Sequence, residues 1–208
     1  MARTPTTDPA RHTRDRILDG ALELFNRDGT AQVTTNHIAA HVGISPGNLY
    51  YWFTDKHEII RALWARFAGD HGALWEGPEI AASTSRPGEA LARLAAATRL
   101  SRTYRFLARD LLALVYADPE LRALYVDTRE RRLAHFGALA RDWRSNGLVR
   151  AVTDERLDDL SRSLWIIAET WWPFAELGTA EPDPREGERM LQAVLEPYLT
   201  AAPSTDTP

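Results

Sequence analysis

Cysteine is missing from the chain altogether, which excludes a disulfide framework and a thiolate metal site. Lysine is almost missing: Lys56 stands alone among 25 basic residues. No apolar stretch reaches the about 18 residues needed to cross a bilayer, and the first residues lack the apolar core of a secretion signal. No membrane segment is therefore expected, and a cytoplasmic location is. Catalytic signatures are absent too: there is no HExxH, no glycine-rich phosphate loop and no nucleophile elbow around a serine. The six histidines are scattered. His37 and His41, four apart on an expected helix, have chelating spacing but read as exposed polar positions. Asp110, near Arg105 and Arg109 in an apolar helix, reads as an intrahelical ion pair rather than a substrate carboxylate. No catalytic residue, metal ligand or cofactor is expected.

What the 208 residues do contain is helix-forming sequence with clear punctuation, and 44% of them are hydrophobic, ample for a core. The net charge of −4 argues at first against a nucleic-acid partner. Residues 1–57, however, carry six basic and six acidic side chains, so the acidic excess lies wholly beyond them.

Residues 34–57, TTNHIAAHVGISPGNLYYWFTDKH, hold the densest punctuation. Thr34 and Thr35 offer a helix N-cap, followed by Ile38, Ala39 and Val42 at helical spacing. Gly43 ends that run where a left-handed backbone is needed, with Ile44 as an apolar plug. Ser45 and Pro46 start a second helix as cap and first helical residue. Leu49, Tyr50 and Phe53 form its inward face, and Gly47, Asn48, Tyr51 and Trp52 its outward one. Two short helices joined by a glycine-containing turn make a helix-turn-helix. Bulky aromatics on the outside of the second suit a helix that enters a DNA major groove.

From Thr35 through Ile38-Ala39, Gly43-Ile44-Ser45, Gly47, Leu49-Tyr50 and Phe53 to Lys56, order and spacing resemble the DNA-binding half of the TetR family of bacterial repressors. The likeness covers residues 13–60; the remainder resembles the family in length and helical pattern only. The resemblance implies a homodimer that binds a palindromic double-stranded operator and is released by a small molecule held in its C-terminal domain.

The expected fold is all-α: a three-helix helix-turn-helix domain plus a larger helical ligand-binding and dimerisation domain, about nine helices in all. Residues 1–12 read as a disordered arm, 13–57 as the DNA-binding domain, 58–201 as the effector-binding and dimerisation domain and 202–208 as a disordered tail. The helices are expected at 13–28, across the two parts of the motif, from 55 to about Trp75, at 89–102, 104–117, 119–146, 153–177 and 185–200. A loop falls at 76–88.

The DNA-contacting set is Thr35, Ser45, Pro46, Gly47, Asn48, Tyr50, Tyr51, Trp52 and Lys56. Thr35, Tyr50 and Lys56 are assigned to phosphates, Asn48 to adenine and Tyr51 to a thymine methyl. Trp64, Leu100, Tyr104, Leu107, Leu111, Tyr116, Tyr125 and Trp143, with Trp75 beside them, are expected to enclose a mostly apolar pocket for a lipophilic or aromatic effector. Leu164, Ile167, Trp171, Leu191, Val194, Leu195 and Tyr198 are placed at the dimer interface, as a four-helix bundle of the last two helices from each chain. Two readings of other classes stand beside this one. The first is a helical small-molecule-binding protein or enzyme in which the helix-turn-helix is incidental. The second is a module that binds a protein through the Tyr51/Trp52 surface.

Overall fold

The computed structural model describes residues 8–75, 87–179 and 182–200, and within these the chain forms nine α-helices and no β-strand. They are α1 (Asp8–Asp28), α2 (Thr35–His41), α3 (Pro46–Trp52), α4 (Lys56–Ala73), α5 (Pro87–Thr103), α6 (Arg105–Ala117), α7 (Pro119–Ser145), α8 (Asp154–Glu176) and α9 (Pro184–Leu195). A short 3-10 turn, Glu196–Tyr198, follows α9. No helix of the described residues is long and apolar enough to cross a membrane.

The boundaries follow the local chemistry, with three departures. α1 begins at Asp8, so residues 8–12 are helical rather than part of an arm; residues 1–7 lie outside the described residues. The expected break near 101–103 falls at Tyr104, where the Phe106 N–H is taken by the Asn26 side-chain oxygen at 3.0 Å instead of by a helical carbonyl. The last helix stops at Leu195 rather than running to 200, because Pro197 carries no N–H with which to continue the ladder. Most of the loop expected at 76–88 and the tail at 202–208 fall outside the described residues.

The chain divides into two compact units: residues up to Asp70 together with Tyr104–Tyr125, and His71–Thr103 together with Val126 onward. The first unit is built on α1, whose Ile17, Leu18, Ala21, Leu24 and Phe25 are buried. Ile38 and Ala39 of α2, Leu49 of α3 and Ile59, Ile60 and Leu63 of α4 are buried in the same unit. It is larger than the helix-turn-helix of 13–57, because α6 docks on the C-terminal end of α1. Phe106 meets Phe25 with ring centroids 5.3 Å apart. Arg109 donates to the Phe25 carbonyl at 2.6 Å and Arg105 to the Asn26 carbonyl at 3.2 Å, satisfying carbonyls that a helix end leaves unpaired. Asp110 pairs with Arg109 at 2.9 Å, as its sequence neighbourhood suggests, and also accepts the backbone N–H and hydroxyl of Thr30 at 3.0 and 2.8 Å. Burial alone would raise the Asp110 carboxyl; these donors hold it below the usual carboxylate range.

In the second unit α9 packs on α8 and α5. Leu157, Leu160 and Trp171 of α8 and Leu191 and Leu195 of α9 are buried. Gly187 of α9 lies so close to the Trp171 ring that any β-carbon would overlap it. A second cluster, Ala140, Trp143, Val149 and Leu157, is covered by Tyr198 and Leu199. An antiparallel bridge joins Val149 to Leu199. Arg150 N–H donates to the Tyr198 carbonyl at 2.9 Å, Thr200 N–H to the Leu148 carbonyl at 3.1 Å and the Thr200 hydroxyl to the Gly147 carbonyl at 2.7 Å.

Candidate nucleic-acid interface

Each turn around α3 is set by a residue within four positions of it. The Thr34 hydroxyl caps α2 by accepting the His37 N–H at 3.2 Å, and His37 Nδ1 accepts the Thr34 N–H at 3.4 Å, so an imidazole completes the capping box where glutamate is usual. α2 ends in a Schellman turn: Ile44 N–H reaches the Ala39 carbonyl at 3.0 Å and Gly43 N–H the Ala40 carbonyl at 3.2 Å. Gly43 sits at φ 69°, a conformation that a β-carbon makes costly. Arg16 of α1 takes the Val42 carbonyl at 2.7 Å. Ser45 then caps α3 through the Asn48 N–H at 3.2 Å, with Pro46 at the first helical position. Beyond α3, Asp55 accepts the Glu58 N–H at 2.8 Å, and Glu58 reaches back to the Thr54 N–H and hydroxyl at 2.7 and 3.0 Å.

This punctuation turns one face of α3 outward. Ser45, Pro46, Gly47 and Asn48 are exposed, and Tyr50 and Tyr51 are 49% and 55% exposed. Tyr50 is thus outward rather than the inward residue its position in the pattern suggested. Its hydroxyl is 2.9 Å from the Thr35 hydroxyl at the start of α2, so these two groups are held as a pair. Trp52 is the clearest correction. Its ring is 8% exposed and stands edge-on to Tyr51 at 5.0 Å, so it supports the outer face from behind instead of forming it. Its indole N–H has no acceptor among the described residues.

Lys56 is half-buried, and its ammonium donates to the carbonyls of Thr30 at 2.6 Å and Val33 at 3.0 Å. It closes the connection between α1 and α2. An ammonium has three N–H donors, so one remains. Thr30 becomes a node, giving its N–H and hydroxyl to Asp110 and its carbonyl to Lys56. His41 pairs with Glu23 at 2.8 Å. No group of residues with metal-ligating spacing is found among the described residues.

The face therefore offers hydroxyls, a carboxamide and aromatic edges, with no arginine or lysine between 45 and 53. Such groups donate to phosphate oxygens and meet thymine methyls, but they cannot form the bidentate guanine contact that arginine makes.

The other expected sites are redistributed. Trp64, Tyr104 and Tyr125 do gather in the first unit: Phe67 lies 5.6 Å from Trp64 and 5.4 Å from Tyr104, and Tyr125 is 5.6 Å from Trp64. Tyr104 donates to Asp70 at 2.8 Å, and burial followed by that bond pushes its hydroxyl up to about 12. Leu107 is buried and Leu111 half-buried in this unit, but Tyr116 is 78% exposed and lines nothing. Leu100 belongs to the second unit, and Trp143 there lies in the cluster under Tyr198. Of the residues placed at the dimer interface, Trp171, Leu191 and Leu195 are buried within the chain, while Leu164, Ile167, Val194 and Tyr198 are half-buried. Trp171, Leu191 and Leu195 are thus taken up by packing within the chain, while the other four keep part of their surface in water. A different face stays open: Ile166, Phe174 and Leu177 are 59%, 72% and 84% exposed, with Met190 of α9 at 42%. The spacing of Ile166, Thr170, Phe174 and Leu177 was the signal for it.

Two family descriptions match the chain: bacterial regulatory proteins of the tetR family over residues 17–63, and the TetR bacterial transcriptional repressor domain over residues 82–205. The HTH-type transcriptional regulator AcrR of Shigella flexneri is 33% identical over 94 residues, 45% of this chain and 41% of that protein. The uncharacterised HTH-type regulator TtgW of Pseudomonas putida is 40% identical over 65 residues, 31% of this chain and 48% of that protein. The matched part thus spans less than half the length of either curated relative. A crystal structure of a TetR-family regulator from Marinobacter aquaeolei VT8 superposes with a TM-score of 0.81 at 32% identity, covering 90% of this chain and 91% of that one.

Proposed function

The chain belongs to the TetR family of bacterial transcriptional regulators, and from that premise we propose that it is a homodimeric repressor. It holds a palindromic operator through the outer face of α3 and lets go when a small molecule occupies the helical body outside the reader. A protein that reads bacterial operators works in the cytoplasm. The observation that carries the reading is the exposed pair Tyr50 and Tyr51 on a Ser45-capped helix, with Tyr50 tied to Thr35 across the turn. Two large aromatics about half exposed on a seven-residue helix leave much ring surface in water and suit a partner with phosphates and methyls.

In this reading Ser45, Gly47 and the Thr35–Tyr50 pair hold phosphates, Asn48 reads an adenine edge and Tyr51 a thymine methyl. With no guanidinium on α3, selectivity leans on apolar contact and DNA shape. Lys56 adds its charge from behind, through its third N–H. A palindrome requires two readers on a two-fold axis, and the open stripe of Ile166, Phe174 and Leu177 with Met190 supplies an apolar face for a second copy.

The test is selection of double-stranded DNA from a random pool on the full chain, followed by footprinting. Enrichment of a two-fold symmetric site, with retention that falls steeply as salt rises, is the expected result. Recovery of a pool indistinguishable from the input would refute the reading.

A further inference from the structure

Thr30, in the connection between α1 and α2, is held from two sides by distant partners within the first unit. One carboxylate oxygen of Asp110 on α6, Oδ2, accepts the Thr30 N–H at 3.0 Å and the Thr30 hydroxyl at 2.8 Å. The other, Oδ1, accepts Arg109 Nε at 2.9 Å, and Arg109 is itself fixed to the Phe25 carbonyl of α1 at 2.6 Å. From the opposite side, Lys56 Nζ donates to the Thr30 carbonyl at 2.6 Å and to the Val33 carbonyl at 3.0 Å. Thr30 and Val33 are both buried. Thr34 follows Val33 directly and caps α2, and Thr35 meets the Tyr50 hydroxyl at 2.9 Å. The seat of Lys56 and the start of α2 therefore rest on one buried connection, and Asp110 of α6 grips that connection at Thr30.

The residue types at this node suit holding rather than filling. An ionised carboxylate only accepts, so it takes both Thr30 donors and the Arg109 guanidinium at once; an amide in its place would turn a donor towards one of them. Valine has nearly the shape of threonine but lacks the hydroxyl that Asp110 accepts. We infer that Asp110 is a positioning residue for DNA binding: through Thr30 it fixes the carbonyls that aim the Lys56 ammonium, and with them the start of α2 that carries the Thr35–Tyr50 pair. This rests on the operator-binding reading above and adds to it a residue of α6, eighty positions from Thr30. The sign of the effect separates positioning from charge. A carboxylate that acted on DNA by its charge alone would repel phosphates, and removing it would tighten binding. A carboxylate that aims Lys56 weakens binding when removed, and does so on every sequence, because a phosphate contact carries no base preference.

Lys56 is the only lysine of the chain, so the rate of its acetylation by acetic anhydride, followed by mass spectrometry of the digested full chain, reads its surroundings without DNA. Asp110→Asn and Thr30→Val should each raise that rate about fivefold, the factor of one net hydrogen bond. Thr30→Ser, which keeps the hydroxyl, should match the parent. Retention on the selected operator and on random DNA is then followed against salt. Asp110→Asn and Thr30→Val should weaken both DNAs and lower the slope of log affinity against log salt by about one unit, as Lys56→Ala does, with Thr30→Ser again at the parent value. In the Asp110→Asn background, Lys56→Ala should take no further slope away. Tighter DNA binding by Asp110→Asn, an unchanged acetylation rate, or a second full loss of slope on adding Lys56→Ala would each overturn the inference. Thr30→Val, the smaller change, decides the matter where Asp110→Asn does not fold. A parent chain with no salt-dependent retention on any DNA would refute the repressor reading, and the acetylation rates would still decide whether Asp110 positions Lys56.

Discussion

The outer face of α3 and the exposed stripe of α8 both leave large side chains in water, and they differ in what the side chains end in. On the outer face of α3, Tyr50 and Tyr51 are about half exposed and both end in a hydroxyl, beside Ser45, Asn48 and Thr35. On the open stripe of α8, Ile166, Phe174 and Leu177 end in carbon, as the exposed Met190 of α9 ends in a thioether. The one hydroxyl within that stripe, Thr170, is turned back onto the Ile166 carbonyl at 2.6 Å. Exposure is at least as great on the second surface. The first suits a wet, acceptor-rich partner such as DNA, and the second a dry one such as its own copy. The extent of exposed apolar surface signals that something binds; the polarity at the tips of the side chains says what.

The comparison breaks most visibly on the dry side. Phe174→Glu combined with Leu177→Glu should convert dimers to monomers in sedimentation and lower retention on the selected operator by about 100-fold or more, because one reader spans only one half-site. A double variant that stays dimeric would remove the stripe from the interface. On the wet side, Tyr51→Ala should weaken the selected operator about tenfold while barely changing random DNA. Equal loss on both would reassign Tyr51 to a phosphate.

Lys56 tests the rim of the wet surface. Lys56→Ala removes two hydrogen bonds to carbonyls that water can partly replace, so the thermal midpoint should fall by the equivalent of about 1 kcal/mol. The slope of log affinity against log salt should fall by about one unit on all sequences. A lower midpoint with an unchanged slope would make Lys56 a structural strut alone. The smallest effect should come from pH, at a residue of neither surface. His71 is held at about 4 in the fold against 6.5 when unfolded, so between these values the unfolded chain binds the additional proton. Stability therefore falls as pH drops from 6.5 towards 4, by less than about 1 kcal/mol between pH 7 and pH 6. Thermal melts of the parent and His71→Asn should diverge in slope over that window, while sedimentation near neutral pH stays the same.

The helix-turn-helix was legible almost residue by residue because its determinants act locally. The Thr34 cap, the Gly43 turn, the Ser45-Pro46 start and the Asp55 cap each work within a few positions. Long-range choices were not legible. The docking of α6 depends on Asp110 and Arg109 meeting Thr30 and Phe25 some eighty residues earlier, and no periodicity carries that information. α8 has apolar residues on two faces, and a helical repeat says which residues share a face but not which face the chain keeps for itself. The broader one, with Trp171, is packed inside, while Ile166, Phe174 and Leu177 on the other stay exposed. Tyr50, read both on the inward face and as a phosphate contact, and Trp52, read as outward, stand two steps or about 200° apart, and on a seven-residue helix the aromatic run does not say which of them faces the core. Trp143 and Tyr116 show the limit of composition, since an aromatic ring on a middle helix can equally be core or surface.

The bridge between residues 147–150 and 198–200 gives the protein a definite vulnerability to proteolysis. Three hydrogen bonds and the Tyr198 ring join the segment after α9 to the turn that precedes α8. A cut just after Glu196 would strip the cover from Trp143 and Leu157 and loosen a turn nearly fifty residues upstream. A cut after Thr200 would spare both. Fragments from limited digestion should therefore fall into two classes, one long-lived and one rapidly degraded, separated by four residues of chain.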